Sequence, residues 1–392
     1  MEEKNLKIAI LHEMLIKLGG AEKVVEQMLK IFPQADLFTL MYDEKKVGNI
    51  FPKKLINKQV FSLASQKRYN LTKKQRLSLN LMAQSVENLD FSEYDIVLCS
   101  SSWFAHWAIT KPETKFIVYY HSPARYMWDW TFEFQRDLKI PFFKKFFIHK
   151  LRKILLKLRI WDVIASNRVD ISLANSYNTA SRIKKYYRKD AEVLFPPVET
   201  DRFSKKLKIN NLKFLEENKI DKNDYYIIIS ALTEFKKIDI AINAFNEMPE
   251  KKLVIIWKWD YKNQLEKLVK SKNIFFADAR YWDELVFLVQ NSLGLIFPWE
   301  EDFWIVPVET MAAWKPVFAF GKWWLLESVI AWKTGEFFYN KNWKDFVKNF
   351  LEFDKKNRNN FYKKENCQNQ AQKFSNKNFE EKLKNLVYKK SV

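Results

Sequence analysis

Short apolar runs alternate along the chain with stretches of helical spacing. The first run, at 7–11, is followed by Gly19 and Gly20, and residues 21–29 then repeat apolar positions at helical intervals. This order predicts a strand, a glycine-bearing loop and a helix. Further buried strands are predicted at 96–98, 116–120 and 171–173. Strands that alternate with helices in this way are typical of a parallel sheet.

The pattern breaks at Pro196 and Pro197 and then restarts after a polar stretch at 205–224. A helix is predicted at 238–246, and strands are predicted at 226–229, 253–256, 274–276, 293–296 and 316–319. The tail beyond Asn340 has helical spacing and many lysines. The sequence therefore predicts two Rossmann-like α/β domains, at 1–195 and 196–375, and a C-terminal helix at 376–392 that packs back toward the first domain.

Composition is that of a folded protein, with 47% hydrophobic and 29% charged residues among 392. No apolar run reaches the length of about 18 residues that a membrane-spanning helix needs. The two cysteines are too few for a disulfide framework or a structural zinc site, and the polar N-terminus does not resemble a secretory signal. A cytoplasmic location is expected.

The formal net charge of +20 attracts anionic partners, either nucleic acid or anionic lipid, although the lysines are spread over the whole chain. No nucleic-acid-binding motif accompanies the charge, so nucleic acid is not expected as a partner. Residues 140–160 carry seven basic side chains and no acidic one, interleaved with phenylalanine and leucine. Such a segment suits a helix lying on the inner face of the cell membrane. An ordinary helix that buries Leu151, Ile154, Leu155 and Leu158 is the alternative.

Two carboxylates, Glu301 and Glu309, stand eight residues apart beyond the strand that ends near Phe297. Ligands bind at the carboxyl ends of parallel strands, where this loop is expected to lie. Glu309 is predicted in the first turn of a helix at 308–313, where the helix dipole stabilises a carboxylate and where it could accept two ribose hydroxyls. Taken alone, Glu309 is more typical of an ordinary acidic residue near a helix N-terminus.

The stretch 297–317 resembles the donor-site signature of retaining glycosyltransferases of family four, most closely the mannosyltransferase-type members that build cell-surface polysaccharides. Matches elsewhere cover nearly the whole chain. They are Gly19-Gly20-Ala21-Glu22-Lys23-Val24, Tyr120-His121-Ser122-Pro123-x-Arg125-Tyr126, Ala174-Asn175-Ser176, Pro196-Pro197-Val198 with Asp201 and Phe203, and Phe235-Lys236-Lys237-x-Asp239.

The resemblance implies a GT-B fold, in which two Rossmann-like domains face each other across a cleft. It implies transfer of a hexose, with GDP-mannose as the suggested donor, to a glycan or lipid-linked acceptor, without a metal or a cofactor. Lys236 is expected to contact the donor pyrophosphate, His121 and Glu301 the sugar, and Glu309 the ribose. The implied donor-binding set also includes Gly19, Gly20, Lys237, Arg280, Phe303, Trp304, Ile305 and Val306.

One departure from the family pattern concerns the phosphate clamp. The family has an arginine five residues before the lysine of this loop, and the chain has Ala231. Lys237 or Arg280 could compensate. A degenerate member that binds nucleotide sugars without catalysing transfer is therefore the alternative function.

Tryptophan is abundant and glycine scarce, at 15 and 6 residues. The family pattern expects glycine at ten of the tryptophans, and Trp282 and Trp343 are plausible further cases. The hypothesis is a gene that uses UGA for glycine and was translated with UGA as tryptophan. Glycine reaches positive φ and lets the backbone approach a phosphate, which tryptophan does not. The ten positions are Trp103, Trp107, Trp257, Trp259, Trp299, Trp304, Trp314, Trp323, Trp324 and Trp332.

Overall fold

The computed structural model describes residues 6–133, 145–207, 209, 211–231, 233–258, 262–278, 280, 282–300 and 305–388. The chain divides into two compact units. The first comprises Met1–Pro196 together with Phe379–Val392, and the second comprises Pro197–Asn378.

The first unit is built on a six-stranded parallel sheet with the strand order β2-β1-β3-β4-β5-β6. Most of its strands are buried along nearly their whole length, as parallel strands covered by helices on both faces must be. The strands are β1 (Ile8–Leu15), β2 (Asp36–Tyr42), β3 (Ile96–Ser101), β4 (Lys115–Tyr120), β5 (Ile171–Ala174) and β6 (Glu192–Val193).

Two hydrophobic clusters, one containing Ala9 and the other Ile10, form the core of this unit. Its helices are α1 (Gly20–Ile31), α2 (Glu44–Val47), α3 (Ala64–Thr72), α4 (Leu79–Glu87), α5 (Lys145–Ser166) and α6 (Tyr177–Tyr187). A helix close to the C-terminus, at Asn376–Tyr388, also contributes to the core through Phe379, Leu383 and Val387.

The second unit repeats the plan with a parallel sheet in the order β12-β11-β10-β7-β8-β9. Its strands are β7 (Tyr225–Ala231), β8 (Lys252–Lys258), β9 (Ile274–Ala277), β10 (Gly294–Phe297), β11 (Val317–Phe320) and β12 (Gly335–Phe338). The helices from here to the C-terminus are α7 (Thr200–Ser204), α8 (Lys213–Glu217), α9 (Ile238–Asn246), α10 (Lys262–Glu266), α11 (Trp282–Gln290), α12 (Ile305–Ala312), α13 (Leu325–Ser328), α14 (Trp343–Arg358), α15 (Lys364–Gln372) and α16 (Asn376–Tyr388).

The predicted fold class, α/β with two Rossmann-like domains, is confirmed. One local prediction is wrong. The helix after β10 begins at Ile305 rather than at Val308, so Glu309 lies in its second turn and not in its first. Pro307 marks the difference, because proline is tolerated in the first turn, where the backbone N–H has no partner within the helix.

Two findings bear on the composition. Both cysteines, Cys99 and Cys367, are buried and free. Among the residues that the structure describes, no helix is long and apolar enough to cross a bilayer.

Candidate functional site

Each sheet has a reversal point, a pair of neighbouring strands from which successive strands of the chain are added toward opposite edges of the sheet. In the first unit this point lies between β1 and β3, and in the second unit between β7 and β10. The loops that leave neighbouring strands diverge at such a point and open a crevice beyond their carboxyl ends, where α/β proteins bind ligands.

Lys236 occupies the crevice of the second unit. It ends a short 3₁₀ turn, Glu234–Lys236, that follows β7 directly. Its side chain is only 3% exposed, which is unusual for a lysine. The Nζ atom lies 5.0 Å from the ring centroid of Trp299, which follows β10 on the other side of the reversal point. A buried cation therefore stands where the fold predicts a ligand.

Trp299 fills the space beside this cation. Its indole is fully buried and packs on Phe297, with the ring centroids 3.9 Å apart. The indole N–H has no hydrogen-bond partner among the described residues. A buried donor without a partner costs free energy, on the order of 1–3 kcal/mol. Indole thus fits this position poorly, whereas glycine would leave the volume open next to Lys236.

Only one of the two acidic residues predicted for the site, Glu309, is among the described residues. Glu301, Phe303 and Trp304 lie outside the described residues. Glu309 is buried on α12, on the element that follows the crevice. Since the influence of the helix dipole falls off beyond the first turn, the position of Glu309 weakens the dipole argument for it but leaves its proximity to the β10 loop.

The remaining donor-binding candidates of the second unit are more dispersed. Lys237 adopts a positive φ of 48° and leads directly into α9. Arg280 places its guanidinium 3.5 Å from Glu284 and 5.7 Å from the ring of Phe214. Ile305 and Val306 form the start of α12. Of the described candidates in this unit, Lys236 and Lys237 are adjacent at the end of β7.

Sequence reasoning missed a carboxylate at the same edge. Glu300, which follows Trp299, forms ion pairs with Lys322 at 3.1 Å and with Lys341. Burial raises the pKa of this carboxyl, but the two lysines outweigh burial and hold it below its ordinary value. Lys322 precedes the Trp323–Trp324 pair, so Glu300 ties the β10 loop to the β11 loop. The run of three acidic residues at 300–302 was its only sequence signal.

His121 lies at the carboxyl end of β4 in the first unit. Its backbone N–H donates to Ser101, and its carbonyl accepts a hydrogen bond of 2.8 Å from the side chain of Asn175, which follows β5. Two motifs that are separate in the sequence, at 120–126 and 174–176, are therefore joined. Burial, together with the nearby His12, lowers the pKa of His121 to about 3. The imidazole is neutral at physiological pH.

Polar residues at the ends of β1 and β3 complete this crevice, and sequence reasoning did not single them out. Ser100 Oγ lies 2.8 Å from Nε2 of His121 and 3.1 Å from Nδ1 of His12. Gly19 is the N-cap of α1, Gly20 is its first residue, and Glu22 follows in the first turn with an oxygen 3.9 Å from Nε2 of His12. His12 has no clear sequence signal, since it lies beyond the predicted end of the first strand.

Glu13 organises the loop after β3. One of its oxygens accepts hydrogen bonds from Ser101 Oγ at 3.0 Å and from the backbone N–H groups of Ser102 and Trp103, both at 2.7 Å. A carboxylate with this many donors is a strong acceptor in a buried setting. Glu13 therefore fixes the loop that follows the end of β3 at Ser101.

Three of the tryptophans predicted to replace glycine have left-handed backbone conformations. The φ angles are 62° at Trp314, 54° at Trp323 and 66° at Trp332. Trp314 follows α12 in a Schellman arrangement, with its N–H bonded to Met311 and the N–H of Lys315 bonded to Thr310. Trp332 is the third residue of a turn closed by the N–H of Lys333 on the carbonyl of Ile330. Both positions favour glycine.

Trp107 differs from these three. It is fully buried, and its indole N–H donates to Asp162 at 2.9 Å, while Trp128 donates to the other oxygen of the same carboxylate at 2.8 Å. Its ring also packs against Phe104. Nothing in this environment favours glycine at Trp107.

The sequence of the second unit matches a known family. Residues 211–374 match the model of the glycosyl transferases group 1 family. The second unit contains a group 1 glycosyltransferase domain. This group 1 domain carries Lys236, Trp299 and Glu309, and with them the crevice between β7 and β10.

Similarity to individual proteins extends over most of the chain. Alpha-1,3/1,6-mannosyltransferase ALG2 of Dictyostelium discoideum is 23% identical, over 89% of this chain and 90% of its own length. The crystal structure of Anabaena HepE in complex with UDP is 14% identical, covers 97% of this chain and 99% of its own, and has a TM-score of 0.71. Sucrose-phosphate synthase from Thermosynechococcus elongatus gives the same TM-score, at 12% identity, with coverage of 97% and 98%.

Proposed function

We propose that the protein is a retaining hexosyltransferase. It moves a hexose, with mannose as the first candidate, from a nucleoside-diphosphate sugar to a glycan or lipid-linked acceptor in cell-surface polysaccharide synthesis. The observation that carries this proposal is the buried ammonium of Lys236 at the reversal point of the group 1 domain. A cation held there meets the diphosphate of a donor, and the mannosyltransferase relative supports the choice of sugar.

The chemistry assigned to these residues is electrostatic. Negative charge builds on the diphosphate as the sugar–oxygen bond breaks, and a preorganised cation stabilises that charge in the transition state more than in the ground state. A diphosphate oxygen can take the proton of the acceptor hydroxyl when the acceptor approaches from the same face. That geometry retains the anomeric configuration and requires neither a metal ion nor a dedicated base. Among the described residues, no group of His, Cys, Asp and Glu side chains could hold a metal.

To identify the donor, the glycine-containing form of the protein is screened by thermal shift against UDP- and GDP-sugars. Transfer is then assayed in the presence of EDTA. One nucleotide sugar is expected to raise the melting temperature and to be consumed with EDTA present, because binding to the native state alone stabilises it. The nucleoside monophosphate is the matched control. Binding without transfer would favour the degenerate, non-catalytic alternative, and no binding of any nucleotide sugar would contradict the proposal.

We further propose that the functional protein has glycine at the family's glycine positions in the group 1 domain. The left-handed backbones at Trp314, Trp323 and Trp332 support this, as does the buried indole of Trp299 beside Lys236. A bulky residue at positive φ is strained, and glycine would relieve that strain at all three positions. Trp107 is left out of the proposal because its surroundings suit an indole.

A third proposal concerns attachment to an anionic membrane through α5. Residues 140–144 of the basic segment lie outside the described residues, but the helix from Lys145 onward leaves a mixed surface exposed. Leu155 is buried and Leu151 and Leu158 pack partly against the core, as the ordinary-helix alternative requires, but Ile154, which that alternative also buries, is exposed. The exposed side includes Ile154, Leu156, Ile160, Trp161 and Ile164 together with Lys150, Arg152, Lys153 and Lys157. Apolar and basic side chains on one exposed surface suit an anionic bilayer.

Vesicle sedimentation tests this surface. The protein is expected to bind vesicles that contain phosphatidylserine and not pure phosphatidylcholine, with binding lost as salt rises, because each lysine or arginine contributes about 1 kcal/mol near an anionic surface. Ile160→Ser with Ile164→Ser should weaken binding at unchanged charge. Leu71→Ser, which removes an exposed leucine elsewhere in the same unit, is the control. Equal binding to neutral and anionic vesicles contradicts the proposal.

A further inference from the structure

Four side chains in the crevice of the first unit form a continuous hydrogen-bonded and ionic chain. It runs from Glu22 on α1 through His12 on β1 and Ser100 on β3 to His121 after β4. The three residues Glu22, His12 and Ser100 are buried, and Ser100 is fully inaccessible. Because β1 and β3 are neighbours at the reversal point, His12 lies directly opposite Ser100 in the sheet register.

The hydrogen positions along this series of four side chains follow from one contact. Nδ1 of His12 lies 3.1 Å from the backbone carbonyl oxygen of Ser100, and a carbonyl oxygen can only accept. Nδ1 of His12 therefore carries a hydrogen. The same nitrogen lies 3.1 Å from Ser100 Oγ, so it is a donor toward the hydroxyl as well.

The hydroxyl of Ser100 must then direct its own hydrogen elsewhere. It accepts from His12, and its remaining close partner is Nε2 of His121 at 2.8 Å; donation to this nitrogen leaves no buried hydroxyl hydrogen without an acceptor. Nε2 of His121 is consequently an acceptor without a hydrogen. Since the imidazole is neutral, its single hydrogen is on Nδ1.

The charges around the chain agree with this arrangement. Burial lowers the pKa of His12, but Glu22 and Glu13 outweigh burial and raise it above its ordinary value. Glu13 lies 3.8 Å from Nδ1 of His12 on the same strand. Burial raises the pKa of the Glu22 carboxyl, but His12, the backbone N–H of Glu22 and Lys17 together outweigh burial and lower it. Burial, with a smaller contribution from His12, lowers the pKa of His121, in agreement with a neutral second imidazole.

We infer that Ser100 and His12 are positioning residues that hold His121 as the neutral tautomer protonated on Nδ1. In that state His121 has its N–H donor on Nδ1, and the lone pair of Nε2 is engaged by the Ser100 hydroxyl. The functional consequence rests on the proposed transferase activity, in which the leaving diphosphate takes the acceptor proton and His121 hydrogen-bonds the sugar. The tautomer itself does not depend on that activity.

Histidine ¹⁵N NMR of the full-length chain tests the inference directly, since the protein has only four histidines. Single His→Gln variants assign the signals. In the wild type, His121 should show a protonated Nδ1 and an unprotonated Nε2, with no titration between pH 5 and 8. His12 should carry a hydrogen on Nδ1 and should titrate above its ordinary pKa. A His121 protonated on Nε2, or one that titrates near its ordinary value, overturns the inference without any variant.

Ser100→Ala is the decisive variant. It should release His121 toward a mixture of tautomers and, in the active protein, lower turnover roughly tenfold, the effect of one lost hydrogen bond of ordinary strength. Ser166→Ala is the matched control, because Ser166 is a buried serine of the same unit whose hydroxyl donates to a backbone carbonyl. An unchanged His121 tautomer in folded Ser100→Ala contradicts the inference. If the tautomer changes as expected but no variant or wild type transfers sugar, only the proposed function fails.

Discussion

Replacing Lys236 by alanine is expected to lower the turnover of the glycine-containing enzyme by on the order of 10²–10³, the typical effect of one electrostatic group at a developing charge. The side chain is buried at the reversal point of the group 1 domain, so its charge is poorly screened by water. Its attraction grows as the diphosphate departs, and for that reason turnover should fall more than donor affinity.

Lys270→Ala is the matched control, because this lysine of the same unit is exposed and its loss should leave turnover unchanged. The configuration of the transferred sugar is read from the product by NMR at the anomeric centre. Retention is expected for wild type. Unchanged turnover in Lys236→Ala, or a product of inverted configuration, would show that the proposed mechanism is wrong.

Trp332→Gly is expected to be more stable than Trp332→Ala by about 1 kcal/mol, because the left-handed backbone costs an L-residue roughly 1–2 kcal/mol that glycine avoids. The comparison isolates the backbone, since both variants remove the same exposed ring at a φ of 66°. At Trp161, inside α5, the order should reverse, because glycine in a helix interior costs about 1 kcal/mol relative to alanine. Chemical denaturation measures both pairs.

The corresponding observation in the native organism is the mass of its peptides. Those that cover 299–314 should carry glycine at Trp299 and Trp314. Native peptides with tryptophan at these positions would end the recoding proposal. An alanine variant at Trp332 as stable as the glycine variant would remove its structural support.

The sheet cores were predictable because a parallel strand that is covered on both faces has a short, nearly continuous run of apolar residues in the sequence. The strands at β4, β7 and β8 were predicted within a few residues of their observed ends. β2, β6 and β12 were not predicted; β6 has only two residues, and β12 follows a turn built around Trp332. The start of α12 was misplaced because the predicted helix at 308–313 began after Pro307, which stands inside the first turn.

The site was only partly predictable, because strand order is not written in the sequence. His12 and Ser100 are 88 residues apart along the chain, and only the insertion of β1 between β2 and β3 makes them neighbours. Lys236 and His121 were found because they belong to recognisable motifs at strand ends. Ser100 belongs to no motif, and its role follows only from its hydrogen bonds to His12 and His121.

The position of α16 also affects the order in which the protein can be completed on the ribosome. Phe379, Leu383 and Val387 fill the core of the first unit, and Lys115 donates to the carbonyl of Leu386 at 3.0 Å. All of Pro197–Asn378 must therefore be synthesised before the first unit has its full set of core side chains. Domains usually fold in order from the N-terminus during synthesis. Here the unit that emerges first is completed last, and until then it exposes the apolar surface that chaperones recognise.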